Sequence, residues 1–259
     1  MSGYVAGGDT GAFSAVTEKY DDVANTWTVK ANLNTARYDL TGFSLNGYGY
    51  TAGGNGPSAV TEKYNDVANT WTVKANLNTA RSNLAGFSLN GYGYTAGGYI
   101  AAVSAVTEKY DDVANTWTAK TPLNTARRWP AGFSLKGYGY TAGGFAADYS
   151  AVTEKYDDVA NTWTAKTPLN TARYRHNGFS LNDYGYTAGG YTGAVSAVTE
   201  KYDDVANTWT AKTPLNTARL GLAGFSIEVV TNILGRPSSR SIGASVSGGI
   251  SAGKGKKRR

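Results

Sequence analysis

Residues 104–144 read SAVTEKYDDVANTWTAKTPLNTARRWPAGFSLKGYGYTAGG, and close copies of this stretch follow one another along most of the chain. Its first seven residues, SAVTEKY, occur five times, at 14–20, 58–64, 104–110, 150–156 and 196–202. Each occurrence leads into VANTWT and then LNTAR, which supply the repeated residues Trp27, Trp71, Trp117, Trp163, Trp209, Arg37, Arg81, Arg127, Arg173 and Arg219. Successive tryptophans lie 44 or 46 residues apart. Near-identical copies at such a period indicate a repeat architecture with one structural unit per copy.

Each copy contains four short segments of β-strand composition, separated by turn residues. The first, GFSL, ends at a dipeptide such as Asn46-Gly47, which favours a type I′ hairpin. The second, YGYTA, is stopped by a Gly-Gly pair, and a turn-rich DDVAN segment joins the third, AVTEKY, to the fourth, TWTVK or TWTAK. No segment shows helical periodicity. The sequence therefore predicts an all-β fold over residues 1–230, a five-bladed β-propeller with four-stranded blades.

The order of the repeated residues also resembles that of a known family. Gly-Gly is followed by Tyr-Asp, then Trp, Leu and Arg, and then a strand that leads to the next Tyr-x-x-Gly-Gly. This order is similar to the kelch repeat, and the resemblance covers residues 1 to about 230. It implies a propeller with one repeat per blade, and it implies that partners bind to the loops on one face of the ring.

The phase of the copies predicts how the ring closes. Residues 3–8 read GYVAGG, a second strand without its first, whereas residues 224–230 supply a first strand without its second. We expect the N- and C-terminal strands to complete one blade together, which would leave no open sheet edge at the chain ends. An open or domain-swapped ring in an oligomer is the alternative.

The copies differ mainly in two loops, one after the Gly-Gly pair and one after the repeated arginine. Because antiparallel strands reverse at every turn, both loops are expected on the same face of the ring. Tyr, Trp and Arg are frequent in these loops, and they are the residues that contribute most to binding at interfaces. The predicted binding residues are Tyr38, Tyr99, Arg128, Trp129, Phe145, Tyr149, Tyr174, Arg175, His176 and Tyr191.

The residues that recur unchanged are interpreted as structural. We expect the five tryptophans to pack blade against blade. We expect the repeated arginines to pair between blades with the repeated glutamates, because a charge near a core needs a partner. Those glutamates are Glu18, Glu62, Glu108, Glu154 and Glu200. The Asp pairs, such as Asp111-Asp112, are expected to cap their own turns, and His176 is expected to be a solvated loop residue.

The composition excludes several kinds of site. The chain has no Cys and one His, so disulfides, thiolate metal sites and multi-histidine metal sites are excluded within one chain. No glycine loop precedes a helix signal, so a phosphate-binding loop is not predicted. We therefore expect a non-enzyme with no catalytic residue, metal or cofactor. No apolar run is long enough for membrane insertion and no signal peptide is recognised, so the expected location is cytoplasmic or virion-associated.

The last segment of the chain has a different composition. Residues 231–259 are rich in Gly and Ser, lack acidic residues and contain the cations Arg236, Arg240, Lys254, Lys256, Lys257, Arg258 and Arg259. The first 230 residues are close to electrically neutral, so the net charge of +6 arises from this tail. The composition predicts a flexible basic arm. Its expected partners are nucleic acid, an acidic protein surface or a larger assembly.

These observations predict a non-catalytic binding or display module. The propeller would recognise a protein partner through its varied loop face, and the basic tail would anchor it to a larger assembly. Two alternatives remain open. One is a structural virion component, either a decoration or a host-attachment protein, and the other is a carbohydrate-binding propeller that holds a glycan on the loop face.

Overall fold

A computed structural model describes residues 2–222, and in this part of the chain the regular structure consists of β-strands alone. Five antiparallel sheets follow one another along the sequence, and each sheet is one blade. Blade 1 has β1 (Ser2–Ala6), β2 (Thr17–Asp21) and β3 (Thr26–Lys30). Blade 2 has β4 (Thr41–Leu45), β5 (Tyr48–Ala52), β6 (Thr61–Asn65) and β7 (Thr70–Lys74). Blade 3 has β8 (Ala85–Leu89), β9 (Tyr92–Ala96), β10 (Thr107–Asp111) and β11 (Thr116–Lys120).

The last two blades repeat the same pattern. Blade 4 has β12 (Ala131–Leu135), β13 (Tyr138–Ala142), β14 (Thr153–Asp157) and β15 (Thr162–Lys166). Blade 5 has β16 (Asn177–Leu181), β17 (Tyr184–Ala188), β18 (Thr199–Asp203) and β19 (Thr208–Lys212). Within every blade the strands lie side by side in chain order. The first strands β4, β8, β12 and β16 contact one another in succession, so they form the inner wall of the ring. The predicted all-β fold with five blades is confirmed.

The hairpins between the first and second strands follow from local backbone preferences. Asn46 and Gly47 both have positive φ, 52° and 81°, as a type I′ turn requires. Blade 4 has Lys136 in place of the asparagine, with a φ of 50°, and blade 5 has Asn182 and Asp183, with 49° and 61°. The turn is therefore kept even where the preferred dipeptide is lost.

The hydrophobic core lies mainly between neighbouring blades. Phe43 of blade 2 stacks on Tyr50 of its own sheet and meets Trp117 of blade 3 edge-on, with ring centroids 5.2 and 6.2 Å apart. The same phenylalanine ring lies over Gly93 of blade 3, where a Cβ would come within 2.2 Å of it. Glycine at that position therefore allows the two sheets to approach each other closely. Phe87 and Phe133 make the same contacts with a glycine and a tryptophan of the next blade.

Each buried tryptophan also joins two blades through its indole nitrogen. Trp117 Nε1 donates to Thr61 Oγ1 at 3.1 Å and to the Ala75 carbonyl at 3.0 Å, both in blade 2 or the segment that leaves it. Trp163 and Trp209 make the equivalent bonds to the blades before them. The expectation that the tryptophans pack blade against blade therefore agrees with the structure for these copies.

Buried ion pairs connect the repeats as well. Arg81 Nη2 lies 3.0 Å from Glu108 Oε1, and both side chains are almost completely buried. Arg81 also donates to the carbonyls of Gly97 and Val106, which satisfies its guanidinium in the interior. Equivalent pairs form in three other places, Arg37–Glu62, Arg127–Glu154 and Arg173–Glu200.

The two aspartates of the Asp pair in blade 3 have different roles, and the same holds in blades 4 and 5. Asp111 caps its own turn, as expected, since its Oδ1 accepts from the backbone N–H groups of Val113 and Ala114. Asp112 instead lies 2.7 Å from Lys63 Nζ in the preceding blade. Burial acts to raise the pKa of Asp112, but its interactions with Lys63 and Tyr50 outweigh burial and lower the pKa. The sequence did not predict this contact between blades.

The contacts at the joint between blade 5 and blade 1 differ from those at the other joints. Trp27 is 51% exposed, whereas Trp117, Trp163 and Trp209 are each 6% exposed. Arg219 is exposed, and within residues 2–222 it does not pair with Glu18. The fifth Arg–Glu pair expected from the sequence is therefore not formed in the described residues. The predicted closing strand, residues 224–230, and the basic tail lie outside them.

Candidate loop-face binding site

The two variable loops of each repeat meet in space. Backbone bridges join the residue after the repeated arginine to the residue after the Gly-Gly pair, in Ser82–Tyr99, Arg128–Phe145 and Tyr174–Tyr191. At the second of these, Arg128 N donates to Phe145 O at 2.9 Å, and Phe145 N returns a bond of 2.8 Å to Arg128 O. The structure therefore places both loops on one face of the ring, here called the loop face.

Eight of the ten predicted binding residues form a continuous group on the loop face. Tyr174 is at its centre, and its ring centroid lies 5.3 Å from that of Trp129 and 5.5 Å from that of Phe145. Its ring is also 5.6 Å from Tyr149 and 5.5 Å from Tyr191. The group, named the aromatic cluster below, consists of Tyr99, Arg128, Trp129, Phe145, Tyr149, Tyr174, Arg175 and Tyr191.

Two arginines stack on the rings of this cluster. The guanidinium carbon of Arg128 lies 4.3 Å from the centre of the Trp129 ring, and that of Arg175 lies 4.4 Å from it. Arg128 is also 5.1 Å from Phe145 and 5.3 Å from Tyr99. A cation over an aromatic ring is attracted by the negative face of the ring. Both guanidinium groups are thus held against aromatic surface, and both arginines are half-buried.

A second set of residues lies two positions after each repeated arginine. All five have positive φ, from 53° to 66°, and they are Asp39, Asn83, Trp129, Arg175 and Gly221. Backbone hydrogen bonds connect them from repeat to repeat: Asn83 N donates to Asp39 O, Trp129 N to Asn83 O, and Gly221 N to Arg175 O. Because these loops lead into the inner strands of the ring, we name this set the inner loop ring.

The side chains of the inner loop ring differ in every copy. Asp, Asn and Gly adopt positive φ readily, but for a large residue such as Trp this backbone conformation is strained. Trp129 and Arg175 therefore occupy positions that other residue types would fill at lower free energy. Strain of this kind is concentrated at functional sites.

Charges of opposite sign meet within the inner loop ring. Arg175 Nη2 lies 3.9 Å from Asp39 Oδ2, which links the loop before blade 5 to the loop before blade 2. Burial raises the pKa of Asp39, although Arg175, Trp129 and Arg128 act to lower it. Asn83 is buried, and within residues 2–222 its Oδ1 atom has no hydrogen-bond partner. The ring therefore combines strained, charged and unsatisfied groups.

Two predicted binding residues lie elsewhere. Tyr38 belongs to the loop face but is outside the aromatic cluster, and its ring contacts Phe13 at 5.1 Å. The expectation that His176 is a solvated loop residue is wrong, because its side chain is only 6% exposed. His176 lies against Gly143, in the position where Leu84 lies against Gly53 two blades earlier in the ring. Burial, with Arg173 second, lowers its pKa to about 3.

Asp39 and Asn83 were not among the predicted binding residues. The sequence does contain a signal for their position, because three of the five residues at it are Asp, Asn and Gly, which favour positive φ. Within residues 2–222, no group of three or more His, Asp or Glu side chains is arranged to hold a metal ion. In the same part of the chain, no helix has the length and apolar character needed to cross a membrane.

Comparisons with known proteins bear on the fold. No family model and no curated protein matches the sequence. Among solved structures, the chain is similar to one described as "Structure of YjhT", with a TM-score of 0.72 and 15% sequence identity. The similarity covers 86% of this chain and 84% of that one. The chain is a β-propeller. At this level of identity the likeness concerns the fold alone, and the propeller described here has five blades.

Proposed function

We propose that this propeller belongs to the kelch type and is a non-catalytic binding module that recognises a protein partner through its loop face. The observation that carries the proposal is the aromatic cluster. Its residues come from the positions at which otherwise near-identical repeats differ, and they join three neighbouring repeats into one surface. Aromatic and Arg side chains are enriched among the residues that contribute most to binding.

Backbone strain supports a role for the cluster beyond random loop variation. A loop without function would be expected to acquire Asn, Asp or Gly at positions of positive φ, as three repeats have. Trp129 and Arg175 depart from this preference in adjacent repeats, and their side chains contact each other. The free energy stored in these two backbone conformations is most simply explained by a contribution of the side chains to binding.

The first experiment selects ligands from a random peptide display library on the immobilised full chain and then measures their affinity for two variants. Tyr174→Ala removes the ring at the centre of the cluster. Val67→Ala is the control, because Val67 is 99% exposed in the β6–β7 hairpin at the opposite end of the blade. We expect Tyr174→Ala to weaken binding about tenfold or more, with little change for Val67→Ala. Ligands that bind both variants equally would contradict the proposal.

A glycan array probed with the same proteins tests the carbohydrate alternative. If the display library yields no peptide ligand, and the wild-type chain binds glycans that Tyr174→Ala does not bind, a carbohydrate-binding propeller is favoured. The array and the display library use the same variants, so the two results are directly comparable.

We further propose that the basic tail anchors the propeller to a larger assembly in the cytoplasm or in a virion. Acid-free segments with several cations bind polyanions in a salt-dependent way that does not depend on sequence. The test is a full chain in which Lys254, Lys256, Lys257, Arg258 and Arg259 are replaced by Gln. We expect this variant to lose any nucleic acid or large assembly that the wild-type chain carries at low salt. Identical behaviour of the two proteins would contradict the anchoring role.

A further inference from the structure

Arg128 is a loop-face arginine that interacts electrostatically with Asp39 but forms no salt bridge with it. Its guanidinium is surrounded by three rings, those of Trp129, Phe145 and Tyr99. Within residues 2–222 it forms no salt bridge, and its Nε atom is buried without a hydrogen-bond partner. Rings that fix a guanidinium from several sides reduce the conformational entropy that it loses on binding. Arg128 is thus positioned in advance for a ligand that can accept its hydrogen bonds.

The contrast with the neighbouring arginines indicates that the missing salt bridge is significant. Arg127, one residue earlier, is buried and paired with Glu154. Arg175, in the next repeat, has the carboxylate of Asp39 at 3.9 Å. At the position of Arg128, the other copies have Tyr38, Ser82, Tyr174 and Leu220. A cation therefore occurs at this position in one repeat only, and the structural pairing of the repeated arginines does not account for it.

The charged neighbours of Arg128 leave its guanidinium without a salt bridge among the described residues. Arg128 and Arg175 both lie against the Trp129 ring, and Asp39 is the carboxylate that pairs with one of them. Asp148, in the neighbouring loop, accepts the backbone N–H of Tyr149. Asp39 interacts electrostatically with both arginines and with Asp9, but among the described residues it forms a salt bridge with Arg175 alone. An arginine presents a planar fork of donors that matches the two oxygens of a carboxylate.

We propose that Arg128, with Arg175 beside it, binds the carboxylate of an acidic peptide segment in the partner. This inference rests on the proposed function and specifies the chemistry of the ligand. A peptide is favoured over an acidic sugar because the ring faces needed for sugar stacking are already in use. Tyr174 contacts four other rings, and Tyr149 stacks on it at an angle of 23°. A carboxylate needs only the free edge of the guanidinium.

The test measures hexaglutamate binding to the full chain by fluorescence anisotropy at about 0.15 M salt, where weak surface attraction is screened. The five C-terminal cations are replaced by Gln in every protein, so that the tail does not bind the peptide. Arg128→Gln is compared with Lys136→Asn, which removes the same charge from an exposed turn where three other repeats have Asn. We expect Arg128→Gln to weaken binding about tenfold, and Lys136→Asn to change it less than twofold.

Arg128→Lys separates the guanidinium fork from simple charge, and we expect it to restore only a small part of the affinity. Glucuronate and inorganic phosphate are used as competitors. Equal binding by the wild type and Arg128→Gln would overturn the proposal. Displacement of hexaglutamate by glucuronate or phosphate at equal carboxylate or phosphate concentration would overturn the assignment to an acidic peptide.

The outcomes distinguish this inference from the function on which it rests. Ligands from the display library that are lost in Tyr174→Ala but bind Arg128→Gln normally would leave the binding module intact and reject the carboxylate site. If Tyr174→Ala and Arg128→Gln both bind every selected ligand normally, the binding module and the carboxylate site are both rejected. Thermal unfolding of each variant, with melting temperatures close to that of the wild type, confirms that altered binding does not arise from misfolding.

Discussion

Trp117 in blade 3 donates its indole N–H to the hydroxyl oxygen of Thr61 in blade 2, across the boundary between two sheets, at 3.1 Å. The same indole is buried beside Phe43, so one side chain contributes both a hydrogen bond and apolar contact to the joint. Trp27 has the equivalent place in blade 1 but is 51% exposed. Two residues with the same sequence context therefore differ in their surroundings, which allows the contribution of the joint to be measured.

We expect Trp117→Phe to lower the free energy of unfolding by about 1–3 kcal/mol, because it removes a buried hydrogen bond and leaves the Thr61 hydroxyl unsatisfied. Trp27→Phe is expected to change it by less than about 0.5 kcal/mol, as for other exposed positions. Urea denaturation followed by circular dichroism gives both values. A large loss for Trp27→Phe would contradict an exposed joint.

The buried ion pair of Arg81 and Glu108 leads to a second prediction. Glu108→Gln leaves the Arg81 guanidinium buried without a countercharge, and we expect a loss of about 3–5 kcal/mol in the free energy of unfolding. Glu18→Gln is the matched control, since Glu18 has the same place in blade 1 but no arginine partner among the described residues. We expect Glu18→Gln to lower the free energy of unfolding by less than about 1 kcal/mol. Equal losses for the two variants would refute a special role for the pair.

Much of this fold could be predicted because the repeats are so similar. A residue that recurs in all five copies is expected to have the same structural role in most of them, which is how Trp117 and Arg81 were assigned to joints. Dipeptides such as Asn46-Gly47 specify their turn through backbone preference alone, and the observed φ angles agree. The loop face followed from the alternation of antiparallel strands.

The parts that were missed depend on contacts between repeats. Asp112 was assigned to its own turn because the sequence shows the turn but not Lys63 of the preceding blade. His176 was expected in solvent because a lone loop histidine is usually exposed, whereas the neighbouring Gly143 leaves a space that the ring fills. The inner loop ring was missed because its backbone hydrogen bonds join residues from different copies.

The buried position of His176 leads to a prediction of pH dependence. The pKa of this histidine is about 3 in the folded protein, against an ordinary value of 6.5. Between these two values the unfolded chain binds more protons than the folded chain, so the contribution of His176 to stability falls as the pH falls from about 6.5 to about 3. His176→Leu removes this contribution and places an apolar side chain where other copies have Leu40 and Leu84.

We expect His176→Leu to be more stable than the wild type by about 1 kcal/mol near pH 7, because a buried polar group is replaced by an apolar one. The difference should grow to a few kcal/mol near pH 4.5, as the linkage relation requires. Urea denaturation at both pH values measures it. A stability difference that does not change with pH would show that the imidazole is exposed to solvent and titrates normally.

A substitution at Trp129 tests whether this residue contributes to ligand binding rather than to stability. Trp129→Asn replaces a strained residue at a φ of 53° with one that adopts this conformation readily, as Asn83 does in the preceding repeat. The relief of about 1 kcal/mol of backbone strain offsets part of the lost ring contact. We therefore expect the melting temperature of Trp129→Asn to stay close to that of the wild type, while ligands selected on the loop face bind at least about tenfold more weakly.

Trp163→Ala is the comparison for Trp129→Asn, because Trp163 is 6% exposed and lies in a joint between blades. We expect Trp163→Ala to lower the free energy of unfolding by about 3–5 kcal/mol, as for other buried tryptophans. Thermal unfolding and ligand affinity are measured on both variants. If Trp129→Asn destabilises the protein as strongly as Trp163→Ala, then Trp129 is part of the core, and its strained backbone is maintained by packing rather than by binding.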